Sequence, residues 1–150
     1  MALSAVTLAM NIAALVVPGL KLFDLAHTPQ ALDPRECPQA YPVPEKFMAL
    51  EDSTQITFGQ RGLWQHTYLI TYRYVQAAVG KERSIAKVIP GQVGGYAKFI
   101  QAITQAARLL GAAYVKPANT PDWGVLQDPS GRQYEAADLA LRVVEYSSDY

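Results

Sequence analysis

Cysteine and histidine are almost missing from this chain of 150 residues, which holds one cysteine, Cys37, and two histidines, His27 and His66. A lone thiol excludes an internal disulfide framework and a cysteine-based metal cluster. The two histidines fall in different segments, and neither sits in an HxxxH or HExxH spacing, so the common zinc signatures are missing as well. Cys37 with His27 or His66 is the only conceivable nucleophile–base pair, and nothing in the spacing joins them. There is no charge excess either. Thirteen basic residues balance thirteen acidic ones, which removes the electrostatic footprint of a nucleic-acid or anionic-lipid binder. Charged residues make up 17% of the chain and hydrophobic ones half of it, a composition that suits burial against partner proteins.

A membrane-spanning run is lacking too. The apolar stretch 2–17 is too short and too interrupted to cross a bilayer, and no Lys or Arg precedes Lys21 to make the basic start of a leader. On a helical wheel Ser4, Thr7 and Asn11 form one narrow polar stripe. Val6, Met10, Ala13 and Val17 mark one apolar flank and Leu8, Ile12 and Leu15 another, which predicts a helix nearly enclosed by protein and stopped by Pro18-Gly19. Gly91, Gly94 and Gly95 match neither GxGxxG nor GxxxxGK[ST], so they read as a tight helix entry rather than a phosphate cradle. Glu51 and Asp52 are adjacent, which on a strand sends them to opposite faces and argues against a paired acid/base site.

What the chain does have is one long β signal over 63–75, LWQHTYLITYRYV. Trp64, His66, Tyr68, Ile70, Tyr72 and Tyr74 alternate with Gln65, Thr67, Leu69, Thr71, Arg73 and Val75, the period-two pattern of a pleated sheet. The second set is mixed rather than plainly polar, so part of that face is expected to be covered. His66, on the aromatic face, reads as a hydrogen-bonded packing residue. Before this strand lie a short strand at 20–25, then five prolines between residues 27 and 45, read as an extended connection rather than a ladder strand. A strand at 47–58 then turns through Gly59-Gln60-Arg61-Gly62. After it, Tyr96, Phe99, Ile100, Ile103, Ala106, Ala107 and Leu110 recur at helical spacing, with Gly111 as the stop. A short strand at 112–116 follows. The chain closes with a hairpin of arms 123–127 and 132–146 around Asp128-Pro129-Ser130-Gly131.

The economical solution is one α+β domain over 1–150, a mainly antiparallel sheet with two helices packed on one face and a proline-rich loop at 27–45. In element order and strand texture the chain resembles the tail terminator proteins of long-tailed phages, the minor tail protein U type. The matching pieces are the helix 2–17, Gln39-Ala40-Tyr41-Pro42-Val43 leading to 47–50, the strand WQHTYLITYRYV, the helix 96–110 and the ending ADLALRVVEYS. The resemblance implies a virion structural protein, made in the host cytoplasm, whose copies form a ring with a hexamer as first expectation. That ring would meet the tail-tube protein on one side and a head-completion or connector protein on the other. It implies no enzyme activity, cofactor, metal, nucleic-acid-specific binding or membrane contact.

A head–tail connector or tail-completion protein is the sibling reading. A small ligand-binding module with Trp64, Tyr68, Tyr72 and Tyr74 around a pocket is the alternative from another class. For a ring, subunit contacts are expected in the proline loop, the 51–62 hairpin tip and the 117–133 segment, because recognition is commonly built on loops. The residues so marked are Pro34, Tyr41, Glu51, Asp52, Arg61, Asp122, Trp123 and Arg132.

Overall fold

The computed structural model describes residues 4–24, 38–43, 46–56, 62–78, 94–107, 110–119, 121–129 and 131–147. His27, Pro34, Cys37, Arg61 and the segment 79–93 lie outside them. Two long strands form the spine, β4 (Trp64–Ala78) and β7 (Gln133–Ser147). They pair antiparallel from Trp64 opposite Ser147 to Ala78 opposite Tyr134, with one bulge between Val75 and Ala77. β2 (Gln39–Pro42) and β3 (Met48–Gln55) both pair with the free side of β4, and β5 (Tyr114–Pro117) and β6 (Asp122–Gln127) with the free side of β7. β1 (Lys21–Leu22) adds a short parallel pairing to β2, completing a mixed, mostly antiparallel seven-stranded sheet. This is the α+β architecture that the alternation predicts.

Alternation along β4 decides what each face does. Tyr68, Ile70, Tyr72 and Tyr74 are buried, and Leu139, Leu141 and Val143 of β7 join them on the same side. Two helices cover this face, α1 (Ala5–Ala13) with Leu8, Ala9 and Ile12, and α2 (Tyr96–Gln105) with Phe99 and Ile103. Each such side chain contributes about 1.5–3 kcal/mol by leaving water. Edge-on ring contacts add geometric definition, with Tyr72 lying 5.5 Å from Phe47 and 5.7 Å from Phe99.

The structure corrects three expectations. α1 is not nearly enclosed: Val6 and Met10 are 56% and 55% exposed, because the helix rests on the sheet through the other apolar flank alone. The stretch 27–45 is not all connection, since Gln39–Pro42 pairs as a strand. No proline interrupts Gln39-Ala40-Tyr41, and Pro42 ends the strand, where its missing donor costs least. β4 also runs three residues past the expected 75, the bulge absorbing the change of register.

Local signals elsewhere act as read. Gly111 has φ 82° and lets the Ala112 amide reach back to the Ala107 carbonyl at 2.9 Å, closing the end of the α2 segment. The Gly131 amide donates to the Asp128 carbonyl at 2.9 Å, and the Asp128 carboxylate accepts from the Arg132 amide at 3.0 Å, which fixes the last hairpin. Gly95 is needed for close approach, because a Cβ there would collide with the Tyr74 hydroxyl.

One buried residue works against this order. Gln39 is fully buried, and neither its Oε1 nor its Nε2 meets a hydrogen-bond partner among the described residues. Leaving an amide unpaired costs about 1–3 kcal/mol. Gln39→Met is therefore expected to raise the urea midpoint of unfolding, by about 1 kcal/mol of stability. The two faces of β4 differ in the same assay. Ile70→Ala is expected to cost about 3 kcal/mol and its half-exposed neighbour Leu69→Ala under about 1 kcal/mol.

Candidate functional site

The face turned away from the helices is built by the same alternation. β4 presents Thr67, Leu69, Thr71 and Arg73 there, and β7 sets Val144, Arg142, Ala140 and Asp138 opposite them. No helix among the described residues covers it. Two of its arginines are paired with carboxylates across strands. Arg73 Nε donates to Asp138 Oδ1 at 2.7 Å and Nη2 to Oδ2 at 3.2 Å, a two-pronged contact held by cross-strand register. Lys46 Nζ lies 3.6 Å from the same carboxylate. Tyr41 is a further hydrogen-bond partner of the guanidinium. On the other half of the face Arg142 reaches over β4 to Glu51 of β3, Nε to Oε2 at 3.0 Å.

The hydrogen bond from Arg73 holds the Asp138 carboxyl below its ordinary value of 3.8; burial opposes this, and the charges of Arg73 and Lys46 reinforce it. Arg73 is pushed further above its own ordinary value, first by its hydrogen bond to Asp138. Beside this pair the face dips into a hollow of about 350 Å³ lined by Arg73, Asp138, Asn119, Gly124, Leu126 and Ala136. The dip exists because Gly124 and Ala136 are cross-strand partners and together bring only one methyl group. Asn119 stands at its rim with Oδ1 accepting from the Ala140 amide at 2.8 Å.

The helix side holds two further features. Near the start of β4 the buried His66 shares a 2.8 Å hydrogen bond between Nδ1 and Ser53 Oγ, and its ring stacks on Trp64 at 6.5 Å. Tyr68 donates to the buried Glu145 at 3.4 Å. Burial first, then the Glu145 charge, pushes the Tyr68 hydroxyl up to about 12. On the outer side of α2, Tyr96, Ile100 and Thr104 face Pro117 and Pro121 across a groove of about 480 Å³. Among the described residues no cluster of three or more His, Cys, Asp or Glu is placed to hold a metal ion, and no helix is long and apolar enough to cross a membrane.

The residues marked from sequence scatter over this frame. Pro34 and Arg61 lie outside the described residues. Tyr41 is buried in the helix-free face beside Arg73, Glu51 is bound to Arg142, and Asp52 is exposed on β3 with Thr54 Oγ1 donating to it at 3.0 Å. Asp122 opens β6 opposite Asp138 in register. Trp123 points to the helix side, its ring 5.8 Å from Tyr74 and 6.0 Å from Tyr96, so it belongs to the chain's own packing. Arg132 is exposed at the hairpin turn.

No protein-family model matches the chain, and no curated protein matches it either. The site therefore rests on its own geometry. Sequence reasoning overlooked Arg73, Asp138, Lys46, Gly124 and Ala136. The alternation over 63–75 already put Arg73 on the second face, but the register that joins it to Asp138 is invisible without the pairing.

Because the folded Asp138 pKa is depressed, the pair's contribution is present above the unfolded value of 3.8 and is lost as pH falls through the lower folded value. Asp138→Asn is expected to lower stability near pH 7 by up to about 1 kcal/mol, since the pair is part-exposed. Urea titrations in an acid series should show wild type and variant converging below pH 3.8; a gap unchanged down to the lowest pH would contradict the assignment.

Proposed function

We propose that this chain is a virion structural protein, a tail terminator whose copies close into a hexameric ring on the end of the tail tube and meet a head-completion or connector protein beyond it. The observation that carries the reading is the distance between the two ends of the spine. The β3–β4 connection leaves at Gln55 and Trp64, and the β6–β7 turn sits at Asp128–Gly131, at opposite ends of the β4–β7 ribbon. Strands of this length span about 45 Å. Unlike patches at opposite ends favour heterologous, head-to-tail contacts, which generate rings when the rotation closes.

Two surface features support a partner-rich role. The segment 4–20 carries no charged residue and exposes Val6, Met10 and Val16, the last by 90%. Apolar surface of this kind marks an interaction site in a soluble chain. Arg73 and Arg142 on the helix-free face are each bound to a carboxylate of the same chain, as suits a structural surface more than a substrate site. The groove beside α2 favours a second reading, a small apolar-ligand module, in which Tyr96 and Ile100 take the place of the aromatics expected from sequence.

Native mass spectrometry with negative-stain imaging separates these readings. A closed assembly of six 16.4 kDa chains, alone or only when tail tubes are added, is the expected outcome. A species that never forms rings, with a melting temperature that rises on adding small apolar ligands, would move the assignment to the module.

A further inference from the structure

Two edges of the sheet, β3 and β5, lie level and present unlike features. Straight across from β3 through β4 and β7 to β5, Asp52 leads to Thr67, Val144 and Tyr114, and Met48 leads to Ile70, Leu141 and Pro117. Three antiparallel pairings separate β3 from β5, so the two edges run in opposite directions. Among the described residues no strand pairs with the outer side of either. β3 carries Leu50, which shares the helix side with its partner Tyr68 and is 47% exposed. On that same side the β5 edge holds the groove between Tyr96 and Ile100 of α2 and Pro117 and Pro121. On the helix-free side β3 presents Asp52, level with Thr67, and β5 presents Lys116, level with Arg142.

We infer that neighbouring copies join edge to edge, β5 of one beside β3 of the next, with Leu50 entering the groove beside α2 and Asp52 meeting Lys116. The inference rests on the ring reading above and names the surfaces that make the ring. Strand direction supports it. A second copy set beside the first in the same orientation brings its β3 antiparallel to β5, the more stable of the two ladders. An unpaired edge strand is a template for such addition. Neighbours in the same orientation also keep helix side next to helix side, so Leu50 faces the groove and Asp52 faces Lys116. A two-fold pairing of like edges sets β3 against β3 and leaves the groove empty.

The charges fit at closer range. Glu51 is held by Arg142 of its own chain, which leaves Asp52 as the carboxylate offered at the edge. Lys116 Nζ lies 5.8 Å from the centroid of the Tyr114 ring, and Tyr114 stands level with Asp52 across the sheet. The ammonium is thus already drawn toward the row in which Asp52 of a level neighbour stands, a diagonal pair within reach of a long side chain. Leu50 lies level with Val115, two residues from Pro117 on the groove wall. Pro117 has no amide to donate and ends β5, so the shared ladder is short and the side chains carry the selectivity. The ends of the spine set the stagger of one copy on the next, and the edges make the contact between them.

The test is native mass spectrometry and negative-stain imaging of the full-length protein, with tail tubes added where rings need them. Leu50→Arg, Asp52→Lys, and Asp52→Lys combined with Lys116→Asp all change exposed positions, and circular dichroism verifies that each variant folds. Expected are wild-type rings whose association is weakened at least tenfold by Leu50→Arg and severalfold by Asp52→Lys, and restored to near the wild type by the double exchange. Open filaments in place of rings, weakened by the same substitutions, establish the edge pairing and sink the ring. Rings that persist unchanged in Leu50→Arg and Asp52→Lys overturn the edge pairing and leave the terminator reading intact, as does a double exchange that restores nothing Asp52→Lys has lost. A monomer at high micromolar concentration that tail tubes do not assemble overturns both.

Discussion

The pairing of β4 with β7 is the constraint on which every other feature depends. Both strands are fifteen residues long, and their register sets which side chains share a face over nearly the whole sheet. A slip of one residue would turn Tyr68, Ile70, Tyr72 and Tyr74 away from the helices and carry Thr71 and Arg73 into the core. The aromatic face fixes this register from one side, and the two-pronged Arg73–Asp138 contact fixes it from the other. The bulge at Val75/Ala77 then lets the top of β4 change phase without disturbing the long lower run.

The two faces reach their stability by different physics. On the helix side, burial of large rings and branched chains supplies most of the folding free energy, and His66 there is held by a hydrogen bond with Ser53. On the helix-free side the ion pairs are part-exposed and contribute little net stability. Their effect is to orient long side chains and to cancel charge. The Arg73 fork favours the ionised form of Asp138 beside the Gly124–Ala136 dip.

Much of this was legible in the residues. Alternation found the buried face of β4, the three–four spacing found α2, and Asp128-Pro129-Ser130-Gly131 found the closing turn, because each signal is local and each has a single dominant physical cause. The exposed flank of α1 was not legible, since Val6 and Met10 are as apolar as Leu8 and Ile12 and only packing tells the flanks apart. Strand β2 was obscured by its prolines, which weigh against a ladder in the abstract but fall at its ends here. Trp123 was marked from sequence for an interface; the ring neighbours the structure gives it, Tyr74 and Tyr96, lie far away in sequence. Arg73 and Asp138 were missed for the same reason, as 65 residues separate the two halves of one contact.

The surfaces left over are unlike one another, and this bears on how the chain can assemble. The α1 flank is charge-free and apolar, so it gains by burial against almost any apolar partner and discriminates poorly. The sheet face is mixed: Tyr41, Val75, Tyr134 and Ala136 are already buried on it, two arginines are paired with carboxylates, and Lys116 lies over the Tyr114 ring. In the ring proposed above, the ends of the spine supply the register and the α1 flank adds strength. That proposal calls for no net charge, in line with thirteen basic residues set against thirteen acidic ones.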